Sequence, residues 1–116
     1  MKLARLYIRG RDIGVDVSIT ETAQERMRGL LGHDALAPDQ ALLLRRCGSI
    51  HTFGMRFAID VLFLDRQLRV VAINHDVPRR RMRFSLRAAH TLEMAACAAR
   101  LHGLAVGDSL VFEAAS

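Results

Sequence analysis

The 116-residue chain has 17 basic and 12 acidic side chains, and 51% of its residues are hydrophobic. This length suits one domain with its own core, and the apolar fraction argues against intrinsic disorder. No apolar run approaches the roughly 20 residues of a membrane-spanning helix, and Arg5 and Arg9 interrupt what would be the apolar region of a signal peptide. We therefore predict a basic, cytoplasmic, single domain over residues 1–116 that does not bind a membrane.

A β-hairpin and a helix are the first predicted elements. Residues 3–9 and 13–19 alternate apolar and polar side chains on either side of a Gly-containing turn, as half-buried strands do. Thr22 followed by Glu25 has the spacing of a capping box. The helix that begins there is predicted to have an apolar face of Met27, Leu30 and Leu31 and to end near Gly32.

Three further strands are predicted between residues 41 and 74. The sequence ALLLRRC, residues 41–47, is predicted to be a strand, and it leads into SIHTFGMRFAIDVLFLD, residues 49–65. Alternate residues of that segment from His51 to Phe63 would lie on one side of an extended chain, with a bend or bulge at Gly54. Residues 61–64 are apolar on both faces, which predicts the central strand, and a turn at residues 65–67 leads into the next one.

The last third of the chain begins with a long, arginine-rich loop over residues 75–86. A strand over residues 88–94, a short helix over residues 96–102 and a closing strand over residues 108–113 follow. Many short strands with two short helices predict a β-rich α+β fold, either an antiparallel two-sheet sandwich or a partly closed barrel.

Three stretches together resemble a known family. They are ERMRGLLG in the first helix, HTFGMRFAIDVLFLD followed by LRVVAIN, and LEMAACAARLHGLAVGDSLVF near the end. In order and spacing they resemble the bacterial and archaeal family named domain of unknown function 192, over residues 13–112. The resemblance implies a compact β-rich domain with no established activity. The matching positions are Arg28, Gly29, Leu30, Gly32, Cys47, His51, Thr52, Phe53, Met55, Ile59, Asp60, Gly103, Gly107 and Asp108; Ala58 departs from a frequent proline.

His51 is the strongest candidate for a functional side chain. Cys47 and His51 are four residues apart and would share a face of an extended chain, and a thiolate with an imidazole suits zinc. A zinc site needs at least one more ligand, which His75, His90, Asp60 or Asp76 would have to supply. Because no second closely spaced pair is present, we favour a hydrogen-bonded His51 over a metal ligand, and we predict no metal and no cofactor.

Asp60 lies between Ile59 and Val61 in an apolar strand, where a carboxylate normally needs hydrogen-bond partners or an ion pair. Its functional interpretation is a general base or an anchor for a polar ligand. We favour a structural role, in which Asp60 accepts backbone N–H groups at a bend or pairs with Arg56.

A basic segment follows Pro78. Its side chains could bind phosphate groups of a nucleic acid or a small ligand, but it has few aromatic residues and no recognised nucleic-acid motif. We favour a solvated charge run and regard nucleic-acid binding as the least favoured function. The arginines of this segment, which we name the arginine segment, are Arg79, Arg80, Arg81 and Arg83.

The leading hypothesis is a non-catalytic binding or accessory module for an unknown ligand or protein partner. Its predicted shallow site contains His51, Thr52, Met55, Arg56 and Asp60, where an apolar face opens to solvent. The alternative is a small hydrolase that uses His51 and Asp60 as acid and base, with or without a metal. Binding of an anion or a nucleic acid through the arginine segment is the second alternative.

Overall fold

The computed structural model describes residues 1–115. Nine strands and two short helices lie within this range. In chain order they are β1 Lys2–Ile8, β2 Arg11–Ile19, α1 Ala23–Arg28, β3 Gln40–Leu44, β4 Ser49–His51, β5 Ile59–Leu64, β6 Val70–Val77, β7 Met82–Phe84, β8 His90–Ala95, α2 Ala98–Leu101 and β9 Leu110–Ala114.

Seven strands form one sheet in the order β6-β5-β8-β3-β2-β1-β9, and β4 pairs with β7 in a separate two-stranded sheet. All pairs are antiparallel except β2 with β3, which are parallel and connected through α1. The predicted β-rich α+β fold with two sheets and two short helices is confirmed, and the large sheet does not close into a barrel. Neither α1 nor α2 has the length and apolar character needed to cross a membrane, within the residues described.

The large sheet is buried on both faces, because apolar residues of its interior strands alternate between two core clusters. Leu62 and Leu64 of β5 belong to one cluster, with β1, β2 and α2. Ile59, Val61 and Phe63 belong to the other, with Leu30, Ile50 and Met55 from outside the sheet. The second face is therefore covered by the residues after α1, the two-stranded sheet and the loop between β4 and β5.

The first helix begins as predicted and ends earlier. The Thr22 hydroxyl accepts a hydrogen bond from the N–H of Glu25, and the Glu25 carboxylate accepts one from the N–H of Thr22, which completes the capping box. However, α1 ends at Arg28, and Gly29 caps it with a φ of 49°. Met27 is 78% exposed and so does not belong to an apolar inner face, whereas Leu30 is buried beyond the end of the helix.

The segment of residues 49–65 is not one continuous strand. It is extended at residues 49–51 and 59–64, with a loop between them in which Gly54 has a φ of 82°. Strand β5 is fully buried as predicted, but it lies second from the sheet edge, and β3 occupies the centre. An apolar run on both faces shows that a strand is interior and does not show which interior position it takes.

The arginine-rich region is more ordered than a long loop. Strand β6 continues to Val77, and β7 pairs Met82 with His51 and Phe84 with Ser49. The strand before the short C-terminal helix, that helix itself and the last strand all form as predicted.

Candidate functional site

A half-open cavity of about 260 Å³ lies on the second face of the large sheet. Its buried walls are apolar and come from the residues after α1, from β3, from β4 and from the loop that follows β4. These wall residues are Leu30, Leu44, Ile50 and Met55, each less than a tenth exposed. The volume lies just under the roughly 300–1,000 Å³ of typical small-molecule sites, so the cavity suits a small ligand.

The most buried polar side chain that lines the cavity is Glu93, which is 4% exposed. It lies in β8, where its register partners are Leu42 of β3 and Val61 of β5. Both partners face the second core cluster, so Glu93 projects from an apolar region of the sheet toward Gly29, whose missing Cβ would lie 3.8 Å from the Glu93 Oε1. Strand β8 is paired with β3 on one side and with β5 on the other, which fixes the position of its backbone.

The Glu93 carboxyl group has no hydrogen-bond or ion-pair partner among residues 1–115. Burial among apolar side chains disfavours its charged form and raises the pKa of Glu93 from 4.5 to about 7. At neutral pH the group is therefore present in both its neutral and ionised forms. The neutral form can donate a hydrogen bond, and the ionised form can bind a cation.

His51 lies at the rim of this cavity, at the end of β4, and is exposed. Its ring and that of Phe53 are 6.1 Å apart between centroids and tilted by 44°, within the usual range for aromatic contacts. Met55 lies deeper and is buried. The structure thus brings together His51 and Met55, two of the predicted site residues, although the loop at Gly54 and not strand alternation does so.

Cys47 also lines the cavity, and its thiol donates a 2.9 Å hydrogen bond to the carbonyl of Ser49. This contact directs the thiol to the backbone. Among residues 1–115, no three His, Cys, Asp or Glu side chains are grouped closely enough to hold a metal ion. The residues considered as a third zinc ligand do not line the cavity; they are His75, His90, Asp60 and Asp76.

Asp60 does not reach the cavity, because it lies on the opposite face of the sheet. Its register partner is Met94, which belongs to the first core cluster. Its carboxylate is fully buried and accepts hydrogen bonds from the backbone N–H groups of Asp76 at 2.8 Å, Cys97 at 3.1 Å and Ala99 at 3.0 Å. This is the structural role that we favoured from the sequence, and it separates Asp60 from His51.

His75 lies close to Asp60 without bonding to it. The Nδ1 of His75 is 3.9 Å from the Asp60 Oδ2, too far for a hydrogen bond. This nitrogen is closed off from solvent and has no hydrogen-bond partner within residues 1–115. Arg56, the other partner considered for Asp60, instead pairs with the exposed Asp34.

Thr52 is fully buried and connects the loop after β4 to the arginine segment by hydrogen bonds. Its hydroxyl donates to the carbonyl of Pro78 at 2.7 Å and accepts from the N–H of Arg81 at 2.9 Å. Thr52 therefore shapes the neighbourhood of His51 through backbone contacts, and its side chain is not available to a ligand in the cavity.

The arginine segment lies outside the cavity. Arg79, Arg80 and Arg81 are exposed, and within residues 1–115 none of the segment's guanidinium groups lies within salt-bridge distance of a carboxylate. The guanidinium of Arg81 bonds the carbonyl of Arg80, and that of Arg83 bonds the carbonyl of Met82. Beside them, Met82 and Phe84 are 68% and 71% exposed, so this surface is both basic and apolar.

A family model matches residues 5–112 of the chain, nearly its whole length. The model is that of DUF192, described as an uncharacterised ACR. The chain belongs to the DUF192 family. The resemblance inferred from the sequence is thereby confirmed. No curated protein matches the sequence.

Two solved structures share the fold of this DUF192 chain. One is a protein from Sinorhizobium meliloti 1021 described as a candidate transcription regulator; it has 22% identity and a TM-score of 0.82, and the match covers 96% of this chain and 92% of that one. The other is a protein of unknown function from Novosphingobium aromaticivorans DSM 12444, with 17% identity and a TM-score of 0.79 over 94% of this chain and 84% of that one. At these identities the similarity establishes the fold alone.

Our sequence reasoning did not identify Glu93. Several positions that carry the DUF192 resemblance, including Gly29, Leu30, His51 and Met55, line the cavity. Glu93 lies in the third of the resembling stretches but is not among the matching positions. One signal was available, since a lone carboxylate between Leu92 and Met94 in a predicted strand needs an explanation as much as Asp60 does. Only the pairing of β8 with β3 and β5 shows that the two carboxylates face opposite sides.

Proposed function

We propose that this protein is a non-catalytic binding module whose ligand occupies the cavity of His51, Met55 and Glu93. The observation that supports this proposal most strongly is the Glu93 carboxyl group, which is buried in an apolar cavity and has no partner within the described chain. Buried polar groups normally find partners in their own protein, and an exception in a concave site is typical of a group that meets a ligand.

The remaining lining fits binding better than catalysis. The Cys47 thiol is engaged with the backbone, and Asp60, which the hydrolase hypothesis needs beside His51, lies across the sheet. Nucleophilic catalysis requires a nucleophile within hydrogen-bond reach of a base and a third group that orients the base. The cavity instead has apolar walls, one buried carboxyl group and a polar rim, which is the usual composition of a small-ligand site.

A fragment screen followed by ¹H–¹⁵N NMR tests this function. Fragments that occupy the cavity should shift the amides of Gly29, Ser49, His51 and Glu93 in a saturable manner. The two thiols provide a second measurement with an internal control, because Cys47 lines the cavity and Cys97 is exposed elsewhere. A bound fragment should slow alkylation of Cys47 and leave that of Cys97 unchanged; a broad screen in which no fragment does so contradicts the proposal.

The second candidate function is acid–base catalysis in the same cavity, with Glu93 replacing Asp60 as the partner of His51. The observation that favours it is the pKa of Glu93 at about 7, since a general acid or base works best when its pKa is near the operating pH. Hydrolysis of nitrophenyl esters and phosphates between pH 6 and 8 tests it. Activity that is lost in Glu93→Gln and kept in the exposed control Glu113→Gln favours the enzyme over the binding module.

A third candidate is binding of a nucleic acid or another polyanion to the arginine segment. Its support is the set of exposed guanidinium groups without carboxylate partners, together with the candidate regulator described for the Sinorhizobium meliloti neighbour. The segment has no interleaved stacking residues, which ranks it below the cavity. For all three candidates we propose a cytoplasmic location.

A further inference from the structure

We propose that the ligand of the cavity is a monocation, with one ammonium group on a short apolar body, and that this ammonium pairs with Glu93. The inference rests on the proposed binding function and adds the chemical class of the ligand. It follows from the position of the carboxyl group, the apolar walls beside it and the charges at the rim.

The position of Glu93 is held by the sheet and not by a flexible loop. Strand β8 is paired with β3 on one side and β5 on the other along its length, so the backbone from which the Glu93 side chain projects is fixed. An ionised carboxylate in such a place is costly unless an opposite charge compensates its lost hydration. A ligand ammonium supplies that charge and donates the hydrogen bonds that the described chain does not.

The cations of the protein itself do not perform this role. Arg26 and Arg28 line the cavity, and their side chains are half-buried and exposed, respectively. Within residues 1–115 no guanidinium lies within 4.0 Å of the Glu93 carboxylate, the limit for an ion pair. Their side chains are long enough to stay hydrated at the rim, where a guanidinium loses less solvation than in the cavity. The deep position beside Glu93 is therefore left to a smaller cation.

The same two arginines limit the rest of the ligand. A second positive charge at the far end of the ligand would approach Arg26 and Arg28 and be repelled, whereas an uncharged or anionic end would not. Between the two ends, Leu30, Leu44 and Ile50 offer an apolar wall. The ligand class is thus an alkyl or aryl monoamine, and diamines and longer polyamines are disfavoured.

The pH dependence of binding follows from the ionisation of Glu93. The other charged or titratable side chains that line the cavity are Arg26, Arg28, Cys47 and His51. Because the ammonium pairs with the carboxylate form and the free carboxyl has a pKa near 7, affinity should rise as the pH increases through 7 and level off above it. A bound ammonium should lower that pKa.

NMR titrations of the full chain at pH 8 with n-butylammonium, 1-butanol and the diamine putrescine test the proposal. Butylammonium should bind at least about tenfold more tightly than butanol, because a charge-assisted hydrogen bond is stronger than a neutral one. Putrescine should bind more weakly than butylammonium. Glu93→Gln should abolish both the preference for butylammonium over butanol and the pH dependence, whereas Glu113→Gln, at an exposed position outside the cavity, should keep them.

The outcomes separate this inference from the function on which it rests. If butanol binds the cavity as tightly as butylammonium, or if Glu93→Gln keeps the preference for the cation, the ligand class is wrong and the binding function stands. If putrescine binds more tightly than butylammonium, the restriction to a monocation is wrong. If none of the probes shifts the cavity amides at any pH, the inference is wrong, and a negative fragment screen would then remove the binding function too.

Discussion

The backbone N–H of Ala99, in α2, donates a 3.0 Å hydrogen bond to the Asp60 carboxylate in the interior of the large sheet. Asp76 and Cys97 donate to the other oxygen of the same group. One buried carboxylate therefore joins β5, β6 and the start of α2. It has three backbone partners, whereas Glu93, on the opposite face of the neighbouring strand, has none within the described chain.

We predict that Asp60→Ala lowers the free energy of unfolding by at least about 3 kcal/mol. The change leaves three buried N–H donors unpaired, and each unpaired donor costs about 1–3 kcal/mol. Asp60→Asn should cost less, about 1–3 kcal/mol, because its one oxygen can serve two donors while its NH₂ group faces the third. Urea denaturation of both variants measures the difference.

The control for Asp60 is Asp34→Ala. Asp34 is exposed and pairs with Arg56 at the surface, and such pairs contribute about 0–1 kcal/mol. An Asp60→Ala variant as stable as Asp34→Ala would show that the carboxylate has no structural role.

We predict that Glu93→Gln stabilises the protein at pH 8 and has little effect at pH 4. Burial raises the folded pKa of Glu93 to about 7 from an ordinary value of 4.5, so the folded state binds more protons than the unfolded state between these two pH values. Stability conferred by the neutral carboxyl is therefore complete below about pH 4.5 and is lost as the pH rises through 7.

At pH 8 the free energy of unfolding of the parent should be lower by on the order of 3 kcal/mol than at pH 4, since each pKa unit corresponds to about 1.4 kcal/mol. Glutamine keeps the shape of the neutral acid and cannot ionise, so the variant should not lose this stability. Urea denaturation at pH 4, 6 and 8 measures the effect. Parallel pH profiles for the parent and the variant would show that Glu93 is ionised in the folded protein without cost, and the cavity would then be more polar than its walls indicate.

We predict that Thr52→Val releases the arginine segment from the loop after β4. The Thr52 hydroxyl bonds the backbone of both Pro78 and Arg81, and valine has nearly the same shape without a polar atom. Thr20→Val is a matched control, because the hydroxyl of Thr20 is equally buried and also bonds one carbonyl and one N–H, those of Leu43 and Arg45.

Both threonine variants should lose about 1–3 kcal/mol of stability through unpaired backbone groups. Amide hydrogen exchange should distinguish them, with faster exchange at Arg81 and in β7 for Thr52→Val alone. Unchanged protection of Arg81 in that variant would mean that the pairing of β4 with β7 holds the segment without Thr52.

We predict that Arg79→Gln combined with Arg80→Gln changes the free energy of unfolding by less than about 0.5 kcal/mol, as is usual for exposed side chains. Binding of the parent to a generic single-stranded oligonucleotide should stay within the roughly 10⁻⁴–10⁻⁶ M range of non-specific association at physiological salt. Fluorescence anisotropy across a salt series measures it. Affinity tighter than this range that falls in the double variant would promote nucleic-acid binding above the cavity ligand.

Features that depend on neighbouring residues could be predicted from the sequence. The capping box of Thr22 and Glu25, the hairpin of β1 and β2, and the buried strand β5 each follow from a pattern of a few residues, because local hydrogen bonds and the alternation of side chains along a strand require nothing distant. The structural role of Asp60 was predicted in the same way, since any carboxylate in an apolar strand needs donors.

The site depended on tertiary structure. The register of β5 against β8 pairs Val61 with Glu93 and Asp60 with Met94, and this one relationship places the two carboxylates on opposite faces of the sheet. Leu30, Ile50 and Met55 cover the face of the sheet from which Glu93 projects. The residues adjacent to Glu93 in the sequence do not indicate this covering. Strand order and register are set by the packing of the whole chain. For that reason the sequence could show that Glu93 is a carboxylate in an apolar strand, but it could not show which face of the sheet the side chain occupies.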